Sequence, residues 1–149
     1  MKVEQASLTP HALEGVRVID MADTNSVYAT KILCDLGAEV IRVEPLAGDP
    51  MRRVQPVDEE TGISAFYAYM NTNKRSVTLD LDSPADVERF RKLVASADVV
   101  VESLPPGRLA ALGIDYDDFA EAQPALVWAS VTAFGSTGPR NAWQADDLL

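Results

Sequence analysis

The sequence predicts an α/β fold: a Rossmann-like parallel sheet with helices on both faces. Short β-branched runs recur along the chain, segments with helical spacing alternate with them, and turn-forming residues punctuate the junctions. At 149 residues with 47% hydrophobic content, the chain is long enough to bury one sizeable core. A single domain over residues 1–149 is expected, with residues 1–12 as a mobile N-terminal segment.

Val16 to Met21 (VRVIDM) lies between Gly15 and the polar run Ala22 to Ser26, as expected for a buried parallel strand. Tyr28, Ile32, Leu33 and Leu36 then recur at helical spacing with Lys31 and Asp35 opposite. Asn25 or Ser26 is the cap, and Gly37 stands where a left-handed residue ends a helix. Glu39 to Val43 completes a β-α-β unit. Pro45 to Gly62, rich in Pro, Gly, Asp and Arg, reads as a long surface loop. Ile63 to Met70 is too short for periodicity to decide and is assigned as helix. Ser76 to Leu81 alternates like a strand. Ser83 and Pro84 then open a helix whose apolar face is Val87, Phe90, Leu93 and Val94. Ala97 to Val101 is a third buried strand, 109–112 a short helix, 115–122 a helix closed by Pro124, and 126–131 the last strand. The chain stops at 146–149 in what reads as the opening of another helix, so a truncated chain, a fragment or half of a tandem fusion is expected.

The net charge of −10 argues against sequence-independent binding to nucleic acid or to an anionic membrane surface. No apolar run approaches the ~20 residues of a membrane span, and the first fifteen residues lack the apolar core of a signal peptide. Cys34 is the sole cysteine, so no intrachain disulfide is possible and a reducing, cytoplasmic setting is expected. It reads as a small buried hydrophobe.

In a doubly wound fold, phosphate commonly sits at the loop after the first strand, here Asp23-Thr24-Asn25-Ser26-Val27. That loop has no glycine and the chain has no GxGxxG, which argues against a glycine-rich dinucleotide site. The clusters Asn73-Lys74-Arg75 and Arg52-Arg53 are placed to meet a phosphate or a carboxylate, although solvated or ion-paired surface positions are the ordinary role of such residues. Asp117-Asp118 and Asp146-Asp147 are adjacent in sequence and do not face each other on a helix. His11 is the only histidine, so no Ser-His-Asp triad or His/Cys metal site can be assembled. No metal site and no catalytic residue is assigned.

The ordered series LEGVRVIDM, YATKILCDLGAEVIRVE, GDPMRR, NTNKRSVTLDLDSP, ADVVVESLPPGRLAALGI and PALVWASVTAFGSTGP resembles the N-terminal half of class III CoA-transferases from about Leu13 to Pro139. This is the superfamily of formyl-CoA transferase, carnitine dehydratase and α-methylacyl-CoA racemase. The resemblance implies a larger two-domain fold, an interlocked homodimer, coenzyme A bound as a thioester, and transfer of CoA from an acyl-CoA to a carboxylic acid. The family's nucleophilic aspartate, which forms a mixed anhydride, would lie past Leu149. The positions that match the family's CoA surface are Thr24, Asn25, Leu79, Leu81, Ser103, Leu104 and Arg108.

Several residues depart from the family pattern. Asn25, Ser26 and Val27 stand where a glycine and proline are usual; Pro45, Asp82 and Ala111 replace frequent basic residues; Ser103-Leu104 replaces an Asn-Phe pair. These losses make a divergent, non-catalytic domain with a structural or dimerisation role the alternative reading. Racemase-like relatives carry a histidine where this chain has Asp146, so racemisation is not expected.

Overall fold

The computed structural model describes residues 11–143 and 145. Five strands form one wholly parallel sheet: β1 (Arg17–Met21), β2 (Glu39–Glu44), β3 (Arg75–Thr78), β4 (Val99–Glu102) and β5 (Val127–Ser130). The helices are α1 (Val27–Asp35), α2 (Ala65–Met70), α3 (Pro84–Val94) and α4 (Tyr116–Ala120), with 3-10 turns at Pro50–Arg53 and Ala110–Leu112. The sheet order is β3-β2-β1-β4-β5: the chain winds outward from β1 to β3, then returns to the other side of β1. The boundary between β1 and β4 is the topological switch point, outside which ligands of open α/β sheets bind.

Alternation along the central strands divides the core into two layers. Ile19, Val43 and Val100 face a cluster closed by Phe90 and Val94 of α3 with Ile114 and Phe119, whereas Val18, Val40 and Val101 face a second cluster with Val27 and Cys34 of α1 and Met51. The sheet is therefore covered on both faces, as the β-branched runs predict. Residues 1–10 of the expected N-terminal segment lie outside the described residues. His11 sits against Gly37, whose φ is +101° and where an added Cβ would come within 2.1 Å of the histidine Cβ, so only glycine fits there.

Two expectations need correction. Of the expected apolar face of α1, Leu33 packs against the second cluster but Tyr28, Ile32 and Leu36 are exposed, while Val27, Thr30, Lys31 and Cys34 are buried. The buried set also has helical spacing, but it includes a threonine tied to Asp20 and a lysine whose ammonium reaches Asp35 while its stem is covered. Counting apolar residues selects the wrong face. The loop from Pro45 to Gly62 is also more than a surface excursion. It contains the 3-10 turn, where Asp49 caps with its carboxylate on the Met51 N–H at 2.7 Å, and both residues are buried.

Candidate functional site at the carboxyl ends of the strands

A cleft of about 660 Å³ opens at the carboxyl ends of the strands, bounded by the segments that follow β1, β2, β3 and β4. Thr24, Leu79, Leu81, Ser103, Leu104 and Arg108 all line it. Asn25 does not: its N–H turns back to Asp23 Oδ1 at 3.0 Å.

The β1–α1 loop is organised by Asp23. Its carboxylate accepts the backbone N–H groups of Asn25 and Ser26 and the Ser26 hydroxyl at 2.9–3.2 Å. The Asp23 carboxylate thus holds the two residues that lead into α1, while the Val27 N–H that opens the helix donates to the Asp23 carbonyl at 2.9 Å. Ser26 Oγ also meets Ser103 Oγ at 2.5 Å, joining the loops after β1 and β4 across the switch point.

Beneath the cleft lies a buried charge network of Asp20, Arg42, Asp49 and Lys74, of which only Lys74 stands out in the sequence. Asp20 and Arg42 face each other in the β1–β2 register. Arg42 donates from Nη1 to Asp20 Oδ1 at 2.8 Å, from Nη2 to the Ala22 carbonyl at 2.6 Å, and from Nε to Asp49 Oδ2 at 2.7 Å. Asp20 Oδ2 accepts from Lys74 Nζ at 2.8 Å and Thr30 Oγ1 at 2.9 Å. Two cations and two carboxylates neutralise one another inside the fold. Burial works against the Arg42 charge, but Asp20 and Asp49 outweigh it and raise its pKa; at Lys74 burial prevails and the pKa is lowered. The available signal was Asp20 and Arg42, an acid and a base set among the apolar residues in the interior of the strand runs VRVIDM and EVIRVE, each demanding a partner.

A second network surrounds Glu44 at the end of β2. Its oxygens accept from Arg52 Nε and Nη2 at 2.7 and 2.8 Å, Tyr67 OH at 2.8 Å, Ser76 Oγ at 2.5 Å and the Asp49 N–H at 3.1 Å. The Arg52 hydrogen bonds lead in holding the carboxyl at about 2, against the opposing effect of burial. Tyr67 is pushed up to about 12 by burial and by Glu44, so it remains a neutral donor.

The predicted basic clusters meet carboxylates of this chain. Lys74 is bound to Asp20, Arg75 to Glu39 and Arg52 to Glu44, while Arg53 is exposed with no ion-pair partner among the described residues. Arg108 pairs with Asp82, which stands where the family pattern is often basic. The cleft lining holds the carboxylates Asp23, Glu44, Asp49, Asp80 and Asp82 against the cations Arg42 and Arg108. Asp23, Glu44 and Asp49 are each engaged by several donors, an arrangement that fixes them as supports and lowers their nucleophilicity. Cys34 is buried, and burial pushes its thiol pKa up. Among the described residues no group of three or more His, Cys, Asp or Glu is arranged to hold a metal ion, and no helix is long and apolar enough to cross a membrane. Asp146 and Asp147, on which the racemase argument turns, lie outside the described residues.

Comparison with known proteins places this architecture. The chain is 44% identical over 135 residues to the BbsE subunit of succinyl-CoA:(R)-benzylsuccinate CoA-transferase from Thauera aromatica, covering 89% of this chain and 33% of that protein. It is 41% identical to human succinyl-CoA:glutarate CoA-transferase, covering 85% of this chain and 29% of that one. The chain thus spans about a third of the length of these curated relatives. Among solved structures, a CaiB/BaiF family protein from Brucella suis superposes with a TM-score of 0.85 at 35% identity, covering 94% of this chain and 38% of that one. Rv3272 from Mycobacterium tuberculosis also superposes with a TM-score of 0.85 at 35% identity, over 93% of this chain and 39% of that one. The profile of CoA-transferase family III matches residues 13–149, and with the parallel sheet and the ordered sequence motifs this establishes that the chain belongs to CoA-transferase family III.

Proposed function

We propose that this chain is the CoA-binding N-terminal segment of an acyl-CoA transferase, which moves CoA from an acyl-CoA donor to a carboxylic acid through an aspartyl intermediate. The observation that carries this reading is the cleft beside the switch point, where residues expected from scattered motifs converge between four strand ends. Its walls are suited to an elongated ligand: Met21, Leu79, Leu81 and Leu104 offer apolar contact to an adenine or pantetheine, and Arg108 offers a charged donor at the mouth. The relatives named above act on succinyl-CoA, which supports a dicarboxylic acyl group as donor. In this reading the nucleophile comes from residues after Leu149, the intact protein is a homodimer, and it works in the cytoplasm. Isothermal titration with CoA tests the binding step: micromolar affinity supports it, and absence of heat under conditions where the protein is folded overturns it.

The engaged carboxylates of the cleft lead to a second expectation. The 149-residue chain supplied with labelled succinyl-CoA and excess glutarate is expected to give no sustained transfer. Turnover that depends on a residue within 1–149 would overturn the placement of the nucleophile after Leu149.

Arg108 is the cation at the mouth, but Asp82 already engages it and both are substantially exposed. A phosphate must therefore compete with a carboxylate, and the net gain is small for a charge-assisted bond. Arg108→Ala is expected to weaken CoA binding about fivefold, or ~1 kcal/mol, while Asp82→Asn strengthens it. Equal affinities in the wild type and both variants would remove Arg108 from the site.

The excess of carboxylates over cations in the lining favours one alternative, a divergent domain that keeps the fold in a structural or dimerisation role. The same CoA titration distinguishes the two.

A further inference from the structure

We propose that Arg42 is a positioning residue that sets the width of the cleft by tying together the two loops that form adjacent walls. The inference rests on the reading of the cleft as the CoA site and extends it to a residue buried beneath that site.

Arg42 projects from β2 at the register position opposite Asp20 of β1. Its guanidinium divides its bonds between two segments that are distant in sequence. Toward the β1–α1 loop it holds Asp20 Oδ1 at 2.8 Å and the Ala22 carbonyl at 2.6 Å. Toward the turn after β2 it holds Asp49 through Nε and Nη2, with the Nε contact at 2.7 Å. Each segment is fixed again on its own side. The Ala22 N–H donates to Asp20 Oδ1 at 2.9 Å, so this peptide is held at both its N–H and its carbonyl. Asp49 accepts the Met51 N–H at 2.7 Å, and its own N–H donates to Glu44 at 3.1 Å. Ala22 to Thr24 and Asp49 to Met51 are all cleft-lining residues.

The planar fork of arginine suits this task. It presents N–H groups in fixed divergent directions, so one side chain can hold a carbonyl and two carboxylates at set separations. A lysine ammonium is a point charge that can neutralise one carboxylate but cannot reproduce the fork. Because Lys74 also binds Asp20, the charge on the β1 side remains compensated when Arg42 is replaced by lysine. Arg42→Lys therefore tests geometry more than charge.

The test uses hydrogen–deuterium exchange with mass analysis of peptides covering 21–27 and 48–54, alongside CoA titration. In Arg42→Lys, the amides of both segments are expected to exchange about tenfold faster while those of β4 and α3 keep their wild-type protection. CoA affinity should fall about tenfold in parallel. Asp49→Asn keeps an acceptor but removes the charge, so it should loosen the second segment more than the first. If Arg42→Lys does not fold, Asp49→Asn alone decides: unchanged exchange in both segments overturns the proposal. So does loosening of only one segment in a folded Arg42→Lys, or uniform loosening of the whole sheet. If the wild type binds no CoA, the CoA reading of the cleft fails, while the exchange pattern still decides whether Arg42 braces the two walls.

Discussion

Asp20→Ala is expected to destabilise the protein by about 3–5 kcal/mol. The Asp20 side chain has no exposed surface and is bonded to Arg42, Lys74 and Thr30, so its removal leaves two buried cations with Asp49 as the remaining carboxylate of the set. Breaking a buried ion pair by deleting one partner is costly because the other charge stays desolvated, whereas removing both partners is far less so. Pairing Asp20→Ala with Lys74→Met should thus recover part of the loss, and the non-additivity measures the coupling. For a domain of ordinary stability, about 5–15 kcal/mol, the single change takes a large share of the total. Urea denaturation of the three variants is the measurement. A loss under about 1 kcal/mol for Asp20→Ala would mean that water reaches this network and that the charges are not held dry.

The same network shows where sequence reasoning succeeds and where it stops. The strands are legible because a parallel strand covered on both faces needs a β-branched apolar run, and VRVIDM, EVIRV and ADVVV have no other economical use. Helix α3 is legible for the corresponding reason: Phe90 and Val94 fall one turn apart and both are fully buried. Helix α1 misleads because its buried face is held partly by polar contacts, from Thr30 to Asp20 and from the Lys31 ammonium to the Tyr69 ring, and hydrophobicity alone does not register these. The exposed Tyr28, Ile32 and Leu36 then look like the core face. Strand ends differ by one to three residues because pairing, not composition, decides where a ladder stops. The predicted β3 runs to Leu81, but the ladder with β2 ends at Thr78, which frees Leu79 and Leu81 to line the cleft.

For the site, six of the seven positions carried by the family resemblance, all but Asn25, line one cleft because they sit on loops at one end of a sheet whose strand order brings those loops side by side. What the resemblance does not carry is charge pairing. Lys74, Arg75 and Arg52 read in sequence either as anion-binding clusters or as ordinary solvated or ion-paired positions, and each is closed on a carboxylate of this chain. A linear sequence shows how many charges a segment has. Which of them remain free for a ligand depends on partners up to 54 residues away, as between Asp20 and Lys74.

Acid titration should isolate the Glu44 network. Glu44 has an ordinary pKa of 4.5 that falls to about 2 in the folded protein, chiefly through Arg52 and with further donation from Ser76 and Tyr67. A carboxyl whose folded pKa lies below its unfolded value contributes stability that is complete above pH 4.5 and is lost as the pH falls toward 2. A difference of this size corresponds to at most about 3 kcal/mol, reduced by salt because Arg52 is half exposed. Glu44→Gln keeps the shape of the side chain but not its charge. The variant is therefore expected to be less stable than wild type by about 2–3 kcal/mol at pH 7, with the gap closing through pH 4.5 to near zero at pH 2. The other titrating carboxylates are shared by both proteins and cancel in the comparison. Since Glu44 also holds the Asp49 N–H, the same acid interval should weaken CoA binding if Asp49 supports the cleft wall. A stability gap between wild type and Glu44→Gln that stays constant from pH 7 to pH 2 would show that the Arg52 pairing does not hold in solution.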